Sequence, residues 1–471
     1  MVFSSNVFLY FFLTFVLLGY AILHRWRRWS NLFLTVASLG FYAWGQPKFV
    51  VIMVASIAVN WLLALWIDKE KKKPEMGCAK LVLTLSVIVN LGLLGVYKYL
   101  GWLLGNINAW FNLSFPVPEI VLPIGISFFT FQAMSYVIDV YRGDGKVQKN
   151  FINVCLYVSF FPQLIAGPIV AYDDIEAQLS HRTVTLDKTA DGIRRFVLGL
   201  SKKLLISNTA ALIADAAFAA SAPSSALAWA GALCYSIQIY FDFSGYSDMA
   251  IGLASMFGFS ILENFNYPYS AVTIRDFWKR WHISLTNWFR TYVYIPLGGN
   301  RVSGTRTIFN RIFVFFLTGI WHGANFTYIL WGLWHGGLMM LERVCRFEQL
   351  EKKRAWQIPL RIYTLLAVVL GFVMFRAPSI GEGFSFIGRM FSFGGNASDV
   401  LHYFSPYTIV MLGFGVLFSA PILPAIRTKL CSCGRESLWN GIVSVLCVPL
   451  FLLCVMTLAS SAFNPFIYYI F

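Results

Sequence analysis

Long runs without a charged residue recur along the whole 471-residue chain, and they restrict its possible folds more than any other feature. A helix needs about 20 predominantly apolar residues to cross the hydrocarbon core of a bilayer. Besides the runs described below, such segments cover 81–97, 120–138, 216–241, 400–426 and 437–471, and 362–375 is a shorter one. The pattern predicts an all-α, polytopic membrane protein with about 10–12 transmembrane helices plus interfacial and re-entrant helices.

The composition supports this prediction. Only 13% of the residues are charged and 58% are hydrophobic, whereas about 25% of a soluble domain is charged. A soluble enzyme is therefore excluded, and so is a disordered chain, which would be polar and rich in charge. Because no long polar block separates the apolar runs, we expect one integral-membrane domain over residues 1–471.

The positions of the basic residues predict the orientation. The 37 Lys and Arg exceed the 22 Asp and Glu, which gives a net charge of +15, and these cations lie in short loops between apolar runs. Such loops are typical of a cytoplasmic face near anionic lipid, and they do not favour nucleic acid as a partner. The apolar segment 4–23 precedes Arg25, Arg27 and Arg28, and the two-span segment 31–67 precedes a lysine cluster at 69–73. We therefore predict a multi-pass protein with its N-terminus outside.

Several common chemistries lack their motifs. The eight cysteines include no C-x-x-C pair, so neither a disulfide framework nor a metal site is predicted. The chain also has no P-loop, G-x-S-x-G, G-x-G-x-x-G or HExxH motif. We expect no bound cofactor, so that any cofactor arrives with the substrate.

Two apolar runs are poorly suited to continuous spanning helices. The run 151–172 contains Pro162 and Pro168, and the run 312–341 contains five glycines and two histidines. Broken backbone at membrane depth is tolerated only where protein buries it or where it lines a wet cavity. The two runs therefore predict a broken segment and a cavity.

The polar stretch 275–292 has the pattern of one amphipathic helix in the cytoplasmic interface. Thr273 and Asp276 predict a capping box at its start. Its apolar stripe comprises Phe277, Trp281, Leu285, Trp288 and Tyr292. The opposite face carries Lys279, Arg280 and Arg290, which either anchor the helix at the membrane or bind an anionic, phosphate-bearing thioester donor. The sequence leaves both interpretations open.

His322 is the strongest catalytic candidate. It lies inside a thirty-residue stretch without Asp, Glu, Lys or Arg, and an ionisable group at such depth indicates function. A neutral imidazole can accept a proton at cellular pH, so His322 is a candidate general base. Trp321 and Asn325 flank it as candidate substrate contacts, and His282, at the border of the stripe, is a second candidate catalytic residue. We expect His335 to be structural.

A polar segment interrupts the apolar region near residue 240. Asp242, Ser244, Tyr246 and Asp248 are candidate substrate-binding residues. On one helix the two carboxylates lie about 240° apart and cannot share a face, whereas Ser244 and Asp248 can. Polar contacts between helices are the alternative role, and we favour them slightly.

Seven sequence blocks, taken together, resemble the membrane-bound O-acyltransferase family and follow that family's order. The resemblance spans residues 1–345, with a core at 81–345, while the spans at 355–471 match only in hydropathy. The blocks are Leu122–Ser127, Asp139–Arg142, Phe161–Pro168, Tyr240–Gly252, Phe277–Ser284, Pro296–Arg301 and Trp321–Phe326.

The resemblance implies a ring of helices around a funnel that meets a tunnel near mid-membrane. It maps the family's invariant histidine onto His322 and a more variable position onto His282. It also implies transfer of an acyl group from a cytoplasmic thioester, either acetyl-CoA or an acyl carrier protein, toward an acceptor outside a bacterial cytoplasmic membrane. A separate extracytoplasmic acyltransferase is the expected partner.

The similarity is greatest to the bacterial group that modifies alginate, peptidoglycan or teichoic acid. We therefore expect O-acetylation of an extracytoplasmic polysaccharide, with His322 as general base. The alternatives are D-alanyl transfer to teichoic acid, acylation of a lipid or sterol, and a non-catalytic conduit that passes acyl groups to the outer partner.

Overall fold

The computed structural model describes residues 1–73, 77–392, 394–396, 398–460 and 466–467, and its regular structure is helical. No β-strand occurs among these residues. The predicted all-α fold of a polytopic membrane protein is confirmed.

The described residues form two contact units. The first comprises residues 1–196 and 249–262, and the second comprises residues 197–248, 263–460 and 466–467. The prediction of a single membrane domain stays a prediction. Up to Ser201 the α-helices are α1 (Leu13–Leu23), α2 (Arg27–Ala43), α3 (Pro47–Lys71), α4 (Ala79–Leu94), α5 (Leu100–Phe111), α6 (Ile126–Arg142), α7 (Phe151–Ser159), α8 (Tyr172–Ser180) and α9 (Leu186–Ser201).

From Asn208 onward, thirteen further α-helices follow. They are α10 (Asn208–Ala219), α11 (Ser225–Met256), α12 (Ile274–Trp278), α13 (Ile283–Phe289), α14 (Gly304–His322), α15 (Phe326–Val344), α16 (Phe347–Leu350), α17 (Arg354–Arg376), α18 (Ile380–Met390), α19 (Ser398–Leu401), α20 (Pro406–Phe418), α21 (Ile422–Ser432) and α22 (Glu436–Ser460). Short π-helical turns cover Val7–Phe12, Gly95–Tyr99, Lys202–Ser207 and Arg290–Tyr294.

Five helical stretches of the described chain are long and apolar enough to cross a membrane. They are α3, Ala79–Phe111, Leu186–Ala219, α17 and α22. The pair α20 and α21, bent by 59°, makes a sixth if it counts as one span. Other predicted spans are divided between shorter helices or carry polar residues, so the total of about 10–12 crossings stays a prediction.

The predicted break in the run 151–172 is confirmed. Helix α7 ends at Ser159, and the non-helical residues 160–170 are buried inside the first unit. Neighbouring side chains satisfy part of the freed backbone, because the Phe161 amide donates to Ser38 Oγ (3.1 Å) and Gln163 Nε2 donates to the Tyr157 carbonyl (2.7 Å). This is the protein-buried form of broken backbone that membrane depth tolerates.

The prediction of one continuous helix over 275–292 is wrong. Thr273 does cap α12 by accepting from the Asp276 amide, but the helix ends at Trp278 and α13 begins at Ile283. His282 lies between them with a left-handed backbone (φ 44°). The Ile283 amide donates to the Asn264 carbonyl (2.9 Å) instead of continuing the helix. The irregular segment around Asn264 therefore accepts the hydrogen bond that a carbonyl of the preceding helical turn would accept in a continuous helix.

Three glycines of the run 312–341, Gly319, Gly332 and Gly336, allow α14 and α15 to pack closely, whereas Gly337 meets no atom within 4 Å. The cavity predicted from this run stays a prediction. A Cβ atom at Gly319 would collide with the Tyr328 carbonyl oxygen, and one at Gly332 would collide with the Phe315 carbonyl oxygen. Small residues that let helix backbones approach are typical of membrane helix pairs. The two helices form a hairpin, and its turn follows His322 directly.

Candidate active site

His322 is the last residue of α14 and lies in the interior of the second unit, with its side chain 3% exposed. Gly323 continues in extended conformation, and Asn325 caps α15 by accepting from the Thr327 amide (3.1 Å). The Asn325 amide group also donates to the Pro378 carbonyl (3.0 Å). Asn325, a predicted substrate contact, thus fixes the turn that positions His322.

Three aromatic rings surround the His322 imidazole at nearly perpendicular angles. The ring centroids of Trp331, Trp321 and Phe375 lie 5.0, 5.1 and 5.2 Å from the imidazole centroid. Edge-to-face packing at these separations fixes the orientation of a ring. The sequence predicted Trp321 but missed Trp331 and Phe375, which come from two other helices.

His282 is fully buried, which corrects its predicted place at the interface. Its Nδ1 lies 3.3 Å from Asn264 Oδ1, and Phe243 packs against it edge to face at 4.6 Å. Trp321 lies 6.0 Å from His282 and 5.1 Å from His322, so one indole contacts both candidate histidines. Burial lowers the pKa of His282 to about 3, which keeps its imidazole neutral at cellular pH.

Asn264 was missed by the sequence analysis, although it organises the surroundings of His282. Its Oδ1 accepts from the amide (3.1 Å) and the hydroxyl (2.9 Å) of Ser284, and its amide group donates to Ser247 Oγ (3.1 Å). It is 1% exposed. The only indication in the sequence was an asparagine at the start of the polar stretch.

His335 joins the same aromatic cluster through Trp331, which lies 5.3 Å away. Trp278 packs on it at 5.3 Å, and Phe277 stacks on it at 6.3 Å. Neither ring nitrogen of His335 has a hydrogen-bond partner among the described residues, and its side chain is fully buried. The structural role predicted for His335 stays a prediction.

The two aspartates of α11 form separate ion pairs. The carboxylate of Asp242 lies 2.6 Å from Lys203 Nζ, with both side chains at most 2% exposed, and it also accepts from the Ile467 amide (2.8 Å). Asp248 pairs with Lys202 at 2.6 Å in a less buried position. The lysines of both pairs belong to the π-helical turn Lys202–Ser207. This geometry favours the polar-contact role over substrate binding for Asp242.

The other two polar residues of this segment are also buried. Ser244 is 2% exposed, and its Oγ has no hydrogen-bond partner within the described ranges. Tyr246 packs edge to face against Phe466 at 5.0 Å. Their predicted role in substrate binding stays a prediction.

The predicted donor-docking residues differ in their surroundings. Lys279 and Arg290 are exposed, whereas Arg280 pairs with Asp276 at 2.9 Å. The apolar stripe behind them is buried as expected at Phe277, Trp281 and Leu285. Donor docking by these residues stays a prediction.

Comparison with known proteins gives consistent matches. The model of the membrane-bound O-acyltransferase family matches residues 146–380. A probable alginate O-acetylase of Azotobacter vinelandii is 44% identical, over 84% of this chain and 79% of the relative. A peptidoglycan O-acetyltransferase of Helicobacter pylori is 36% identical, over 84% of this chain and 80% of the relative. A teichoic acid D-alanyltransferase of Bacillus subtilis is 31% identical, over 56% of this chain and 71% of the relative.

Proposed function

The chain belongs to the membrane-bound O-acyltransferase family, and from this premise we propose that it transfers an acetyl group from a cytoplasmic thioester to an extracytoplasmic polysaccharide. Acetyl-CoA or an acyl carrier protein is the proposed donor, and no bound cofactor takes part. The acetyl assignment follows the higher identity to the acetylases (44% and 36%) than to the D-alanyltransferase (31%).

The observation that carries the proposal is the environment of His322. Its imidazole is held by Trp321, Trp331 and Phe375 at the end of α14, in a part of the chain rich in buried apolar residues. In this proposal Nε2 or Nδ1 accepts the proton of an acceptor hydroxyl as its oxygen bonds to the thioester carbonyl carbon. The C–S bond then breaks, and the leaving thiolate takes up the proton from the imidazolium.

General-base catalysis by a positioned side chain contributes roughly 10²–10⁴-fold to a rate. Alignment of hydroxyl and thioester in one site contributes further, because it makes the reaction effectively unimolecular. His282 has a different proposed role: with its pKa at about 3 it stays neutral, and through Trp321 and Asn264 it orients the site.

The test compares two buried histidines. We expect His322→Ala to lower O-acetylation of surface polysaccharide by roughly 10²–10⁴-fold, while His335→Leu retains it. Polymer acylation is measured by mass spectrometry of the cell-surface polymers, normalised to the amount of membrane-inserted protein. Unchanged acetylation in His322→Ala would refute the assignment, and a D-alanyl instead of an acetyl mass increment would favour the alternative acyl group.

His322 is 3% exposed, and a buried polar side chain is also compatible with a second function, that of a passive conduit. A passive conduit would leave the chemistry to an extracytoplasmic partner and would need only a polar residue at this position. It predicts that His322→Gln keeps its activity, whereas a general base predicts loss, because an amide cannot accept the proton. Polymer acetylation in His322→Gln cells, with the partner present, distinguishes the two.

The membrane orientation belongs to the same proposal. With the N-terminus outside a bacterial inner membrane, the exposed Cys78 lies on the cytoplasmic side. In a variant that keeps Cys78 as its sole cysteine, we expect a membrane-impermeant maleimide to react only after permeabilisation. Reaction in intact spheroplasts would reverse the proposed orientation and, with it, the side from which the donor enters.

A further inference from the structure

A pocket of about 440 Å³ lies among basic side chains of the first unit, and none of its lining residues belongs to the candidate active site. Arg27 of α2 contributes to its wall, together with His181 and Arg182, which follow α8, and Lys188 of α9. Its lining residues include hydroxyl groups but no carboxylate within the described part of the chain. A pocket of this size falls within the range of ligand sites, about 300–1,000 Å³.

Arg182 is buried in this pocket with only neutral partners. Its side chain is 8% exposed; Nε donates to Tyr20 Oη and the Phe257 carbonyl (both 3.1 Å), and Nη1 donates to Asn31 Oδ1 (2.8 Å). The guanidinium lies 4.1 Å from the centre of the Phe259 ring. Nη2 has no hydrogen-bond partner in the described residues. A donor of a permanently charged group thus remains unsatisfied.

Arg27 brings a second positive charge close to the first. Its Nη2 donates to the Arg182 carbonyl, while its buried Nη1 has no partner among the residues that the structure describes. Burial and, to a smaller extent, the charge of Arg27 lower the pKa of Arg182 to about 10, so both groups stay protonated at neutral pH. Neither arginine forms an ion pair with a described carboxylate.

Among the residues that the structure describes, this pair of arginines has no counter-charge. A buried cation without an anionic partner is unfavourable, and a bound anion would supply the missing charge and accept the two unused N–H groups. Lys188 adds a third cation, with its Nζ within 3.3 Å of Thr183 Oγ1 at the pocket. Planar guanidinium groups are suited to the oxygens of phosphate.

The neighbouring side chains indicate where this pocket meets its ligand. Trp26 and Trp29, on either side of Arg27 and Arg28, are 58% and 62% exposed. Exposed tryptophans beside arginines are typical of the headgroup level of a membrane. We therefore expect the pocket to lie at the headgroup level, where phosphate esters of lipids and soluble phosphate esters that approach the membrane are both present.

We propose that this pocket binds the phosphate group of an anionic ester, held by Arg27, Arg182 and Lys188. The shared chemistry is that of a phosphate ester, and its two sources are an anionic phospholipid headgroup and the phosphates of the coenzyme A moiety of a thioester donor. The site does not depend on the proposed acyl transfer, because it is defined by binding alone.

The test uses the full-length protein in a non-ionic detergent. Dihexanoyl phosphatidylglycerol, coenzyme A and inorganic phosphate are titrated separately, each against sodium chloride of equal ionic strength, and binding is followed by thermal unfolding and native mass spectrometry. We expect saturable binding of a phosphate ester that weakens about tenfold in Arg27→Gln and in Lys188→Gln. Arg28→Gln is the matched control, because Arg28 is exposed and does not line the pocket; we expect its affinity to stay within about twofold.

The outcomes of the titrations distinguish the two sources of phosphate. Saturation by phosphatidylglycerol alone identifies a lipid site, saturation by coenzyme A alone identifies a donor site, and saturation by both supports the shared phosphate chemistry. Responses no larger than those to sodium chloride, or equal weakening in Arg28→Gln and Arg27→Gln, overturn the proposal. Arg182→Gln is not needed for this decision, because it also removes the contacts to Tyr20 and Asn31.

Discussion

The indole of Trp331 meets the imidazole of His322 edge to face, with ring centroids 5.0 Å apart and ring planes at 89°. The same indole lies 5.3 Å from His335, so it separates two buried histidines. Trp321 stands in a similar relation to His322 and His282. Three histidines that are distant in sequence are thus linked through two tryptophans, although only His322 ends a helix at a turn.

Trp331 is a positioning residue for His322, and its substitution tests that role. We expect Trp331→Leu to lower polysaccharide acetylation roughly tenfold to hundredfold, because a displaced base loses alignment with its substrate. Trp331→Phe keeps an aromatic edge and should retain most of the activity. Acetyl content per inserted protein is the measurement, and equal losses in the Leu and Phe variants would contradict orientation by the ring.

The close packing of α14 and α15 predicts opposite effects at two glycines of one helix. Gly332→Ala places a methyl group against the Phe315 carbonyl oxygen, and such overpacking costs about 1–3 kcal/mol. Gly337→Ala meets no atom within 4 Å, and the higher helix propensity of alanine should leave stability equal or higher. Thermal unfolding in detergent compares them; a Gly332→Ala variant as stable as wild type would refute the close contact.

The two ion pairs of α11 should differ in their contribution to stability. Asp242→Asn removes the carboxylate that lies 2.6 Å from the buried Lys203, so we expect a loss of about 3–5 kcal/mol. Asp248→Asn breaks a pair in which the Lys202 side chain is 29% exposed and the Asp248 side chain 18%. Because water screens this pair, we expect a loss of only about 0–1 kcal/mol. Unfolding midpoints of the two variants give the comparison. If Asp242→Asn unfolds normally but loses acetylation, Asp242 contacts substrate after all.

His282 makes the folded state sensitive to acid. Its pKa is about 3 in the folded chain and about 6.5 when unfolded, so below pH 6.5 the unfolded state binds more protons. The free energy of unfolding should therefore fall as the pH decreases from 6.5 toward 3, by up to roughly 1.4 kcal/mol per pH unit from this group. His282→Gln should flatten the decline, as measured by unfolding midpoints between pH 7 and 4. An unchanged slope would show that His282 is accessible to protons in the folded protein.

Much of the architecture follows from local properties of the chain. The apolar runs predict helices, the prolines at 162 and 168 predict the break after α7, and Thr273 predicts the start of α12. The predicted stripe residues Phe277, Trp281 and Leu285 are buried, but so are Trp278 and Phe289 outside the stripe, because the stretch is not one helix. These properties depend on hydrophobicity, on missing amide donors and on capping, which act between residues close in sequence.

The sequence by itself determined an all-helical membrane acyltransferase and selected His322, because a charge-free run makes an ionisable group conspicuous. Only the tertiary structure decided that Asn264 breaks the stretch 275–292, that His282 is buried, and that Trp331 joins His322 to His335. The physical reason is that these features depend on hydrogen bonds and ring contacts between segments far apart in the chain. No local pattern specifies which distant donor, acceptor or ring will be nearest once the helices pack.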